Sequence, residues 1–274
     1  MTFNKKLLFS GCSFTAGDEL VWDKYCEDVL LKNPIMYNWE VFHKDDLFDT
    51  HYSKYVEYRK KFNIPSLVGN AFNIPVIDLS MDGNNTRIAL SVIKKVLEKT
   101  PEETKDFHVC VGWTSVIRRA KWSKKFGKFL NVNASHYAND SELHPYIKEG
   151  IVNASGYDHN LHFIHDVMLL ENFLKARGIS YTFWLSLSGM HMGGIEDLKE
   201  KLFPVIPVDK ISDRKNWLMF NDADEIPMLG ASWVDHLITT DNPWISVANR
   251  HPNLKSATNL AQRIIDHIQS RFLD

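Results

Sequence analysis

Four short apolar runs, each ending in small or polar residues, do most to limit what this chain can fold into. They are KKLLFSGC (5–12), NIPVIDLS (73–80), DFHVCVGW (106–113) and ISYTFWLSLS (179–188). Runs of this length, closed by turn residues and without strict alternation, read as strands buried on both faces. Helical patterns follow or separate them. TRIALSVIKKVLEKT (86–100) sets Ile88, Val92, Ile93, Val96 and Leu97 at helical spacing, with charges on the far side. IHDVMLLENFLKARG (164–178) is amphipathic and is stopped by Gly178, and SATNLAQRIIDHIQSRFL (256–273) closes the chain with a third helix. Strand alternating with helix predicts an α/β fold whose mostly parallel sheet is covered on both faces.

The connections after the first and third strands are too long for simple βα loops. Residues 20–65 and 119–160 are polar, aromatic-rich and poorly periodic, and read as insertions over the carboxyl edge of the sheet. At 274 residues, with no repeat and no low-complexity segment, residues 1–274 are expected to form one domain.

Composition narrows the function classes. A formal charge of −2, from 32 basic and 34 acidic residues, lacks the basic footprint expected of a nucleic-acid or anionic-membrane binder. The local basic run WSKKFGKF (122–129) reads as a solvated surface. Three cysteines, Cys12, Cys26 and Cys110, lack paired spacing, which argues against a disulfide framework and for a reducing compartment. LFSGC has the look of a lipoprotein cleavage site. However, only Leu7, Leu8 and Phe9 separate Lys5 and Lys6 from Ser10, too few for a secretory apolar region of about 7–15 residues. No stretch approaches the roughly 18 apolar residues of a membrane span, so the expectation is a cytoplasmic protein.

The segments that follow the strands carry the chemistry. After the first come Gly11-Cys12-Ser13-Phe14-Thr15-Ala16-Gly17; after the second, Asp82-Gly83-Asn84-Asn85-Thr86-Arg87; after the third, Gly112-Trp113-Thr114-Ser115, then Arg118 and Arg119. Asn249-Arg250-His251-Pro252-Asn253 precedes the last helix. A parallel sheet collects such segments at one edge. Together they offer a hydroxyl, small-residue amides, polar side chains and an imidazole, the groups needed for acyl transfer by an activated serine.

In their order and spacing these four blocks resemble the SGNH/GDSL hydrolases. Gly11-Cys12-Ser13-Phe14 is similar to the nucleophile block, with Cys12 where that family has Asp. Asp82-Gly83-Asn84-Asn85 sits at the glycine oxyanion block, Gly112-Trp113-Thr114-Ser115 at the Gly-x-Asn-Asp block, and His251-Pro252-Asn253 at the histidine block. The Gly-Cys-Ser-Phe-Thr and Trp-Thr-Ser variants resemble a diverged branch common among tailed phages and bacteria. The resemblance implies a three-layer α/β/α sandwich of flavodoxin-like type, with Ser13 as nucleophile and His251 as general base. The Ser13 and Gly83 amides and a side chain of the third block would hold the oxyanion. It implies no cofactor and no metal, and a small-molecule or carbohydrate ester as substrate.

Two positions depart from the family pattern. Thr114 stands where the family supplies Asn, leaving Asn84 or Asn85 as substitutes for the missing amide. Ala248 stands three residues before His251, where the family has its acid. Asp241, or a backbone carbonyl, is left to orient the imidazole. Arg87, Arg118 and Trp113 are further candidates for substrate contact. Against these readings stand plainer ones: Ser13 as a helix cap, Cys12 as an alternative nucleophile or a buried thiol, His251 as a surface histidine. His159, His162 and His165, three residues apart, drift round a helix by about 60° per step and read as a polar lead-in to the 164–178 helix rather than a metal site. The leading function is ester hydrolysis. A catalytically silent binding or structural protein on the same fold is the alternative, as is an acyltransferase using the same Ser-His pair.

Overall fold

In a computed structural model of the chain, the residues described are 5–17, 20, 55–80, 83–123, 128–132, 148, 154–187, 194–207, 211–220, 228, 231–239 and 253–272. Four parallel strands form the central sheet: β1 (Lys6–Gly11), β2 (Val76–Asp78), β3 (Phe107–Trp113) and β6 (Ser180–Leu185), in the spatial order β2-β1-β3-β6. A separate antiparallel hairpin joins β4 (Arg119–Ser123) to β5 (Lys128–Val132). The helices are α1 (Ser13–Ala16), α2 (Ile64–Phe72), α3 (Asn85–Leu97), α4 (Pro101–Thr104), α5 (Gly156–Ala176), α6 (Ile195–Lys201), α7 (Trp233–Thr239) and α8 (Leu254–Phe272).

The sheet is covered on both sides, as its sequence predicts. Every residue of β3 is buried, and β1 exposes only Lys6. Alternate residues then go to opposite layers. Leu8, Val109, Val111, Trp113, Phe183 and Leu185 pack with Ile88, Val92 and Val96 of α3 and with Phe163, Val167 and Leu170 of α5. Leu7, Phe9, Cys110 and Trp184 pack on the other face with Val68 of α2, Trp233 of α7, and Leu260, Ile264 and Ile268 of α8. This is an α/β fold with helix layers on both faces of a parallel sheet.

Four sequence expectations are corrected. The second long helix begins at Gly156 rather than Ile164, because Ser155 and Asp158 form a reciprocal capping box. The three histidines therefore lie inside α5, with His159 buried and His162 and His165 exposed. Residues 20–65 are not wholly irregular: 55–62 are helical, and α2 starts at Ile64 behind an Asn63 cap, with Pro65 in its first turn. Nor are residues 119–160, which supply the β4–β5 hairpin and the start of α5. Leu97, expected on the buried stripe of α3, is 57% exposed because the helix ends there.

At the amino end of β3 the buried face holds an imidazole. His108 has no exposed surface; its Nδ1 lies 2.9 Å from Ser180 Oγ and its Nε2 3.0 Å from Thr182 Oγ1. Lys5 Nζ donates to the same Ser180 hydroxyl at 2.9 Å. Burial, reinforced by the positive charge of Lys5, holds the His108 pKa down at about 3. No helix among the described residues is long and apolar enough to cross a membrane.

Candidate active site

The strand order places β1 and β3 side by side, with β2 and β6 outside them. Connections leave this central pair in opposite directions, and ligands of open α/β sheets lie beyond the strand ends at such a point. Gly11 of β1 is paired with Gly112 of β3. Ser13 and Thr114 each lie two residues beyond that pair, so the register brings both to one edge.

Ser13 opens α1, a single turn with Cys12 as its N-cap residue. At that first helical position the Ser13 amide lies beyond reach of the helix's own carbonyls. Thr15 N and Ala16 N both donate to Cys12 O, and Gly17 N donates to Ser13 O at 2.8 Å. Gly17 sits at φ +69°, the left-handed conformation that favours glycine, and ends the turn at once. Ser13 is 8% exposed, whereas the Cys12 side chain is fully buried, away from the position of a nucleophile open to substrate.

The turn can lie this close to the sheet only because glycine stands at the end of β1 and one residue before the end of β3. A Cβ on Gly11 would stand 2.2 Å from Thr15 Oγ1, and one on Gly112 would stand 2.5 Å from the same atom. Thr15 thus rests across both strand ends.

The second and third blocks are locked to each other. Gly83, Asn84 and Asn85 are all buried. Asn84 caps α3, its Oδ1 accepting from Arg87 N at 3.0 Å. Asn85 reaches across to β3: its Oδ1 accepts from Thr114 N at 2.9 Å, and its Nδ2 donates to Thr114 O at 3.1 Å. The Nδ2 also approaches Ser115 O at 3.5 Å. The carboxamide of Asn85 is therefore engaged with backbone, which takes it out of the expected oxyanion set. It fixes Thr114 instead. The Thr114 hydroxyl itself is fully buried and has no hydrogen-bond partner among the described residues.

Of the expected substrate contacts, Trp113 is a core residue. It is fully buried on the α5 side, edge-to-face with Phe163 and Phe183 at 5.8 and 5.4 Å. Strand alternation turns it away from the face that carries α1. Arg118 stays at the edge, its Nη1 donating to Gly83 O at 3.5 Å, while Arg87 sits half-buried in the first turn of α3. Asp241, Ala248 and His251 lie outside the described residues. Asn253, two residues past His251, caps α8, its Oδ1 accepting from Ser256 N at 3.1 Å. Sequence reasoning did not single out Thr15, Ser186 or Trp184, whose polar atoms gather around Gly112; only the register of three strands brings them together.

Comparison with known proteins returns little. No family model matches the chain, and no curated protein does. Among solved structures it is similar to an acetyl xylan esterase (Est2A) from the rumen bacterium Butyrivibrio proteoclasticus. The identity is 11%, covering 98% of this chain and 65% of that one, with a TM-score of 0.45. The chain thus spans just under two thirds of that protein's length.

Proposed function

We propose that the chain is a serine hydrolase acting on a small acyl or acetyl ester, with a carbohydrate or a small metabolite as the alcohol. Ser13 Oγ attacks the carbonyl carbon while His251 takes its proton. The tetrahedral oxyanion is held by the Ser13 and Gly83 amides and by the Thr114 hydroxyl. Collapse expels the alcohol, which leaves with the proton from His251, and the acyl group stays on Ser13 Oγ. Water, deprotonated by His251, then releases the acid and restores Ser13.

The observation that carries this reading is Thr114. Its backbone is clamped on both sides by Asn85, yet its buried hydroxyl has no partner among the described residues at the edge shared with Ser13. A buried polar atom left unpaired is costly unless it has a job to do. A hydroxyl donor fixed before the reaction is what an oxyanion requires.

The test is labelling of the purified protein with a fluorophosphonate, read by intact mass and peptide mapping. One adduct on Ser13, absent in Ser13→Ala and in His251→Ala, supports the reading and opens an ester-substrate screen. An adduct on Cys12, or none where a control hydrolase is labelled, sinks it and favours a binding protein. Analysis of products with added alcohols then separates a hydrolase from an acyltransferase.

A further inference from the structure

Three buried polar groups converge on Gly112 and have no hydrogen-bond partner among the described residues: Thr15 Oγ1, Ser186 Oγ and Trp184 Nε1. Thr15 and Trp184 have no exposed surface and Ser186 has 1%. The point where a Gly112 Cβ would stand is 2.5 Å from Thr15 Oγ1, 2.5 Å from Ser186 Oγ and 2.8 Å from Trp184 Cε2, the ring atom bonded to Nε1. The two hydroxyl oxygens are therefore at most about 5 Å apart, and they make no bond to each other. Two O–H···O bonds of about 2.8 Å through one shared oxygen span that gap.

We propose that these groups hold one buried water, and that through it Thr15 and Ser186 are positioning residues for Ser13. The chemistry fits water better than an ion. An indole N–H and two hydroxyls are neutral, and a water accepts from the indole while donating to both oxygens. Three polar partners in a closed site are the usual company of a conserved internal water, and ordering it costs less than leaving all three groups unpaired.

The consequence for Ser13 follows from its sharing one short turn with Thr15. α1 is four residues long and has no side-chain cap. Ser186, by contrast, is anchored: its amide donates to Trp113 O at 2.8 Å and prolongs the β3–β6 ladder. The water ties the turn to that fixed point across Gly11 and Gly112. Only this effect on Ser13 rests on the hydrolase reading; the water site does not.

The experiment is a cycle of Thr15→Val, Ser186→Ala and the double variant, with Thr15→Ser as the conservative control. By urea unfolding, each single variant is expected to lower the folding equilibrium constant by about 5–10-fold, and the double by no more than the worse single, since both lose one shared water. Fluorophosphonate labelling of Ser13 is expected to slow by about 10-fold in either single variant and to recover in Thr15→Ser. Multiplicative effects in the cycle would overturn the water. Unchanged labelling with a coupled cycle would overturn the positioning role. If wild-type Ser13 is not labelled at all, the hydrolase reading fails while the unfolding cycle still decides the water. If the variants do not fold, a wild-type crystal structure at about 1.5 Å decides: density touching all three atoms supports the site, and a direct Thr15–Ser186 contact overturns it.

Discussion

The two ends of one sheet face treat buried polarity in opposite ways. At the amino end, both ring nitrogens of His108 lie at hydrogen-bond distance from Ser180 and Thr182, and Lys5 completes Ser180. Four residues along the same strand, around Gly112, the hydroxyls of Thr15 and Ser186 and the indole of Trp184 have no partner among the described residues. Thr114, two residues further, is in the same state. Satisfied polarity in a core fixes a structure; polarity held rigid and unsatisfied awaits something to bind. On this contrast, substitutions of Ser13 and Thr114 at the carboxyl end should change reactivity more than stability, and those at the amino end the reverse.

The largest expected effect is at Ser13. Ser13→Ala should abolish fluorophosphonate adduct formation and reduce esterase turnover by at least about 10³-fold, with the unfolding midpoint little changed. Thr114→Val comes next. It keeps the shape and removes the donor, and should cost about 10²-fold in turnover on whichever ester the screen identifies. A Thr114→Val enzyme with full turnover would remove Thr114 from the oxyanion site. Asn85→Ala is expected to act in both currencies, since it frees the Thr114 backbone: about 1–3 kcal/mol by urea unfolding, together with slower labelling. His108→Phe marks the opposite pole. It leaves Ser180 and Thr182 without their imidazole and should cost about 2 kcal/mol of stability, while Ser13 labels at the wild-type rate. Slower labelling in that variant would mean that the two ends are not independent.

The smallest effect is graded by pH. The pKa of His108 is about 3 in the folded chain, and burial holds that of His267 at about 4. Both titrate near 6.5 when unfolded. Below pH 6.5 the unfolded chain binds protons that the folded chain refuses, so stability is complete above that pH and falls as pH falls. Both histidines contribute down to about pH 4, and His108 alone from there to about pH 3. At pH 5 the share from His108 is about 2 kcal/mol. Urea titrations between pH 7 and pH 5 should show this slope, reduced in His108→Phe.

What could be read in the sequence follows the same division between local and non-local causes. The strands were legible because parallel strands buried on both faces are written as unbroken apolar runs; FHVCVGW is buried at every position. The positions of Ser13 and of the Gly83–Asn85 block at one sheet edge were legible because each begins within five residues of a strand's carboxyl end. The start of α5 was obscured by three histidines within its first three turns, although Ser155 and Asp158 carried the capping signal. The Asn85–Thr114 clamp and the cluster around Gly112 could not be read. They depend on which strands are neighbours and in what register, and the participants are 29 residues apart in the first case. Trp113 misled for the same reason: its alternation partner faces, not its place in a motif, decide where it points.

The paired glycines also constrain the order in which this sequence could change. With Thr15 in place, a side chain at either Gly11 or Gly112 collides with its hydroxyl. An alanine at position 11 becomes admissible only after position 15 has lost its whole side chain, since the Thr15 Cβ alone would stand 2.6 Å away, whereas a smaller residue at 15 is sterically admissible at any time. The path is thus one-way at the steric level: position 15 changes first and Gly11 second, while Gly112 stays held by Ser186 Oγ at 2.5 Å and Trp184 Cε2 at 2.8 Å as well. Descendants of this chain that keep Thr15 are expected to keep both glycines, and a lineage found with alanine at 11 should carry glycine at 15.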